Sequence, residues 1–230
     1  MPSSRVLVIG LLLGAFAFGW LQWREFSRQR LAESSSPVIN KLPIAFANRT
    51  FDPAAPPTEM PPLARGESAE CDSNFLSNAS VRGEPRQTEA TQATLTVTQV
   101  RMTLQLTITI WVPRGVTPRV IEHEDGHRQI SEYYYRTADK LAERIAAAYI
   151  GKQVEITGTD LNAASSTMLQ QLATEITNQY DRELDAERAQ LLYDDLTDHS
   201  RNEVAVKDAV ATALRDVGTA STERATNPGN

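Results

Sequence analysis

The chain has 230 residues, 41% hydrophobic and 23% charged, which is enough apolar material for one ordinary domain core. A formal charge of −6 and the absence of any basic stripe interleaved with aromatics exclude an electrostatic nucleic-acid binder. The single cysteine, Cys71, excludes an intrachain disulfide framework and reads as an unpaired thiol in a loop.

The N-terminus opens with Arg5 and then an apolar run from Val6 to Trp20, the layout of a signal sequence. Ala15-Phe16-Ala17 offers a small-x-small cleavage site. Phe18, Trp20, Leu21 and Trp23 continue the apolar character beyond it and favour a retained signal anchor, near the lower length limit for a bilayer span. No cysteine follows the run, so a lipoprotein anchor is excluded. Arg24, Arg28 and Arg30 weakly favour a cytoplasmic location for the chain beyond them. A single apolar segment ahead of a soluble domain argues for export. Residues 1–23 are therefore read as a signal anchor or signal peptide. The domain is expected to face the periplasm or exterior on the membrane, or to be secreted after cleavage.

Residues 24–70 are rich in Ser, Pro and Ala and read as a linker. It is broken by Pro53, Pro56, Pro57, Pro61 and Pro62 and has one strand, Ile44 to Phe51. Cys71 to Gln92 is polar and predicts no regular element. Alternation then begins with Leu95 and Val97 on one face. From Val100 the parity shifts to Met102, Leu104, Leu106, Ile108, Ile110 and Val112, opposite Thr103, Thr107 and Thr109. The slip at Thr98-Gln99 predicts a bulge or tight turn. Two antiparallel strands, or one long bent strand, should end near Trp111, with Pro113-Arg114-Gly115 closing the strand.

Thr117-Pro118 is a helix start, with Thr as N-cap and Pro at the first helical position. The helix should run to Tyr149-Ile150, with Gly151 as its C-terminal cap. About two turns in lies His123-Glu124-Asp125-Gly126-His127. Residues four apart share a helix face, so both imidazoles can hold one Zn²⁺, and Glu124 can act as general base on a water. Gly126 inside the helix costs about 1 kcal/mol relative to Ala, which predicts a close approach of sheet or substrate to the metal face. In zincins an edge strand beside the metal commonly receives an extended peptide. The plainer reading of the alternation over 94–112 is a sheet that only supports the helix.

Asp160 or Asn162 caps a second long helix, reaching about Tyr193, and a third spans Asn202 to about Val217. Residues 218–230 read as a disordered tail. Only one histidine remains, His199. The metzincin extension is excluded, because Ile130 and Tyr133 stand where it needs Gly and His. The third ligand is then His199, or a carboxylate from a later helix, Glu183 or Glu187.

The chain resembles the bacterial predicted secreted zinc-dependent proteases. The resemblance rests on Pro113-Arg114 at a strand end, His123 to Arg128, and the late Tyr193-Asp194, Thr197 and His199, and covers about Thr94 to His199. Members usually carry Gly after the last His, where this chain has Ser200. The resemblance implies a zinc peptidase with His199 at or beside the metal.

The expected fold is α+β, a small antiparallel sheet packed on a long zincin-type helix and further long helices, with residues 71–217 as the catalytic domain. The expected chemistry is hydrolysis of a peptide or protein substrate. His123, His127 and His199 hold Zn²⁺, Glu124 is the base, and Tyr193 donates to the developing oxyanion or, equally, sits in the core. Asp194 or Asp198 could orient a histidine, although an exposed helix-end carboxylate is the plainer reading of each. A non-catalytic zinc-binding envelope protein and a metal-free anchored scaffold are the alternatives.

Overall fold

A computed structural model describes residues 36–63 and 66–226, excluding the side chains of 218–226. The apolar N-terminal segment therefore lies outside the described residues. Among those described, no helix is long and apolar enough to cross a membrane.

The fold is α+β and is organised on one strand. The strands are β1 (Val38–Lys41), β2 (Ala45–Phe51), β3 (Glu70–Glu89), β4 (Gln92–Pro113) and β5 (Gln153–Thr157). All four others pair with β4. β3 lies along one edge, and β5, β1 and β2 follow one another along the other. The sheet is not the small antiparallel one expected from the alternation. β1 and β2 run parallel to β4, while β3 and β5 run antiparallel to it.

The alternation in β4 is what builds the core. Leu95, Val97, Val100, Met102, Leu104, Leu106 and Ile108 are buried on one face. The parity slip is real. β3 and β4 pair as Arg82↔Gln99 and then Gly83↔Val97, leaving Thr98 as the extra residue of a bulge in a single long strand.

The described part of the stretch read as a linker, residues 36–63 and 66–70, belongs to the domain. β1 and β2 complete the second edge of β4, and the proline-rich segment carries the chain over the end of that strand. β2 ends with Phe51 beside Pro113, and β3 begins with Glu70 beside Trp111. Phe51, Met60 and Trp111 pack together there, with Leu63 against them. The prolines break regular structure, as expected, and the described part of the segment packs on the end of β4. The polar stretch after Cys71 forms β3, a 20-residue strand. Its inward positions Cys71, Ser73, Phe75, Ser77 and Ala79 are mostly small or polar, so the alternation is faint in the sequence.

The helices are α1 (Pro118–Arg136), α2 (Ala138–Tyr149), α3 (Leu161–Leu184), α4 (Ala186–Thr197) and α5 (Val206–Thr226). Two expected long helices are each divided. Thr117 does cap α1 by position, but its side chain makes no capping hydrogen bond, and the helix breaks at Thr137. The break re-aims the apolar face. Ile130 of α1 packs with α4 and α5, whereas Ala138, Ala142, Ile145 and Ala146 of α2 pack against the sheet. Asp160 caps α3, accepting from the backbone N–H groups of Asn162 and Ala163 at 3.0 Å each. α3 ends at Asp185, whose φ of 42° turns the chain into α4. α5 continues to Thr226, past the point where a tail was expected.

Candidate metal centre

The helix α1 delivers His123 and His127 to one point, as their spacing requires. Their Nε2 atoms lie 3.2 Å apart. The third atom at that point comes from α4 and is a carboxylate. Asp194 Oδ1 is 2.9 Å from His127 Nε2 and 3.4 Å from His123 Nε2. Bonds of about 2.0–2.2 Å at tetrahedral angles place ligand atoms about 3.3 Å apart. The triangle of 2.9, 3.2 and 3.4 Å has that size. Asp194 Oδ1 is buried and has no aligned hydrogen-bond donor, as expected of an atom that points at an ion. Two imidazoles and one carboxylate are a donor set that divalent transition metals favour. The His123–His127–Asp194 group can thus hold a metal ion.

His199 does not join that triangle. It stands beyond Asp194, with Nδ1 3.1 Å from Glu67 Oε1 and 3.7 Å from Asp194 Oδ1. Glu183 is engaged elsewhere, with Arg144 and Gln179. Glu187 lines the cleft but is not in the ligand group. Asp194 is the residue the sequence undervalued. The signal was present in Tyr193-Asp194, one turn before the end of a helix, but nothing in a lone sequence says which face that helix turns towards α1.

Tyr193 is fully buried, beneath the two histidines. Its ring stacks on His123 at 5.1 Å and meets His127 edge-on at 4.8 Å, and its hydroxyl donates to the His123 carbonyl at 3.1 Å. That hydroxyl is occupied on the core side of α1, a positioning role and not an oxyanion donor's place. The same ring explains Gly126. A Cβ there would lie 2.1 Å from Tyr193 Oη and 2.4 Å from Cζ. The close approach expected at Gly126 is therefore made by α4, not by sheet or substrate.

Gln190, which the sequence did not single out, sets the direction of His127. Its Oε1 lies 2.7 Å from His127 Nδ1, and its Nε2 donates to the His127 carbonyl at 3.1 Å and to Ser131 Oγ at 2.9 Å. An amide oxygen only accepts, so Nδ1 carries the proton and Nε2 presents its lone pair to the centre. Ser131 in turn donates to Ser73 Oγ at 2.9 Å and ties α1 to β3. Arg128, the residue after the motif, is held by Asp125 and Glu132 on the outer face of α1. Asp198 pairs with Arg201 and makes no contact with a histidine that would orient it.

A cleft of about 440 Å³ opens beside this group, lined by Glu124 and His127, by Glu67, Glu70, Asp72 and Ser73, and by Glu187, Gln190 and Asp194. Among the described residues, no lysine or arginine lines it. Burial pushes the Glu124 carboxyl up to about 8, with Glu70 and Glu67 adding to the rise and His127 opposing it. Burial and the neighbouring Glu67 push Glu70 up to about 7. Burial alone would raise Asp194 too, but the two histidines hold it well below the ordinary carboxylate range. His127 is raised, because Asp194 outweighs its burial. Cys71 lies in the cleft wall on β3, not in a loop, and burial pushes its thiol up to about 12, so it stays protonated.

No family model, no curated protein and no solved structure matches this chain. The functional reading therefore rests on the residues and their arrangement.

Proposed function

We propose that this chain is a zinc-dependent peptidase, exported and held at the membrane by its N-terminal segment. The observation that carries the reading is the convergence of His123, His127 and Asp194 in an acidic cleft whose wall also presents Glu124. Zinc is the ion favoured by two imidazoles, a carboxylate and a four-coordinate spacing. When bound, it supplies Lewis acidity and brings the pKa of a water down towards neutrality.

The chain's own residues account for the rest. Glu124 follows His123 on α1 and lines the cleft, in place to take a proton from the attacking water and return it to the leaving amine. The positive charge of a bound ion counteracts the burial that otherwise keeps Glu124 protonated. Gln190 holds the His127 tautomer, and Tyr193 fixes the spacing of α1 and α4. The substrate platform is the outer edge of β3. The Ala79 N–H donates away from β4, to Thr177 Oγ1 at 3.1 Å. Phe75, Ser73 and Cys71 share its parity in the same unbroken register, so their backbone groups also face outward. Those residues line the cleft, and an extended peptide laid on that edge passes the histidines.

Glu124→Ala tests the reading. Full-length protein carrying it should bind zinc as the unsubstituted chain does, and cleavage of a peptide library should fall by about 10²-fold or more. Zinc-loaded protein that cleaves no peptide would leave a non-catalytic metal-binding role as the better account.

A further inference from the structure

Beyond Asp194 stand two more ligand-type side chains, Glu67 and His199, that the peptidase reading does not use. Glu67, Asp194 and His199 bring one ligand atom each to within 4.8 Å of one another. His199 Nδ1 is 3.1 Å from Glu67 Oε1 and 3.7 Å from Asp194 Oδ1. Yet that ring nitrogen is buried and makes no aligned hydrogen bond. The short contacts therefore lie off the in-plane direction along which an imidazole nitrogen donates or accepts. Ligands of a common cation meet in this way, close to one another while each points at the ion.

The loop that holds His199 is strained. Asp198, His199 and Ser200 have φ of 47°, 50° and 69°, three consecutive left-handed residues with no glycine among them. Strain of this kind persists only where the surroundings impose it. Here they do. His199 N–H donates to the Asp194 carbonyl at 3.3 Å, Arg201 N–H to the Asp198 carbonyl at 3.0 Å, and Arg119 Nε to the Ser200 carbonyl at 2.8 Å. The imidazole is thus fixed against two carboxylates by contacts from α1 and α4.

We propose that Glu67, His199 and Asp194 form a second divalent-cation site, contiguous with the first and sharing Asp194 with it. The proposal rests on the reading of His123, His127 and Asp194 as a metal centre. One imidazole and two carboxylates suit Zn²⁺ or Mn²⁺.

Chelator-stripped full-length protein titrated calorimetrically with Zn²⁺ should take up two equivalents. Glu67→Gln and His199→Ala should each remove one equivalent and leave the other, and His127→Ala should remove the first. The Glu67 variant leaves the strained loop untouched, so it decides the matter if His199→Ala misfolds. A single equivalent in the unsubstituted chain overturns the proposal and leaves the first centre standing. So does a single equivalent that His199→Ala weakens, since His199 would then serve that same ion. Two equivalents unaffected by either variant also overturn it, because the second ion then binds elsewhere. No bound zinc at all overturns both the second site and the metal centre beneath it.

Discussion

Gly126 and Tyr193 act as a pair. The helix gives up about 1 kcal/mol at Gly126 and receives in exchange the Tyr193 ring against its backbone, between the two histidines. Gly126→Ala restores helix propensity but puts a methyl inside the ring's space, and overpacking of this kind costs about 1–3 kcal/mol. We expect a lower melting temperature and weaker zinc binding. A melting temperature equal to or above that of the unsubstituted chain would show that Tyr193 is free to move aside. Gln190 acts on tautomer and direction. Gln190→Leu removes the oxygen that His127 Nδ1–H needs, and outer-shell losses of this type reduce metal affinity by about 10–100-fold. The titration that measures zinc affinity checks this directly. An unchanged affinity would mean that α1 alone orients the imidazole.

At the scale of elements, β4 is the member on which the others depend. Its second edge is closed by β1 and β2, whose residues pair with 101–104 and 107–113. Tyr135 Oη donates to the Leu42 and Leu104 carbonyls at 2.7 and 3.0 Å, and Lys41 Nζ donates to Asp139 at 2.9 Å. The two strands thus also fasten α1 and α2 to the sheet. Deleting 36–51 leaves a run of β4 backbone groups unpaired and uncovers Trp111. A chain beginning at residue 52 should therefore lose cooperative thermal unfolding, measured by circular dichroism, where one beginning at residue 36 keeps it. Equal melting of the two would return this segment to the status of a linker.

At the scale of the whole molecule, the cleft gathers six acidic side chains. In metal-free protein, Glu70 holds its proton to about 7 and Glu124 to about 8, against an ordinary value of 4.5. The folded chain then binds protons that the unfolded chain has released, so these groups reduce stability as pH rises through that window. His127, raised by Asp194, stabilises the fold below its ordinary value and loses that contribution as pH rises through the elevated one. Asp194, depressed, stabilises above its ordinary value and loses its contribution only in stronger acid. The melting temperature of metal-free protein should therefore fall from about pH 5 to about pH 8, and Glu124→Gln should flatten part of that slope. A melting temperature that climbs over the same range would contradict the cleft electrostatics.

Local periodicity decided much of this protein. The alternation of β4, its bulge at Thr98, the start of α1 and the shared face of His123 and His127 all follow from side-chain direction along one element, and one element is what a sequence displays. The rest depended on which elements meet. β3 has a weak apolar face, so its strand exists through pairing with β4. β1 and β2 are short, lie beside prolines and are stabilised by an edge that no local pattern announces. The helix breaks at Thr137 and Asp185 carry no proline or glycine and are set by the surfaces against which the next helices pack. That Asp194, and not His199, meets the two histidines has the same cause. The sequence offered three histidines and a motif, but the turn that α4 makes on α1 places Asp194 over the pair and leaves His199 one step outward. Ligand identity at a metal centre is a matter of distance between elements, and that distance exists only once the helices are packed.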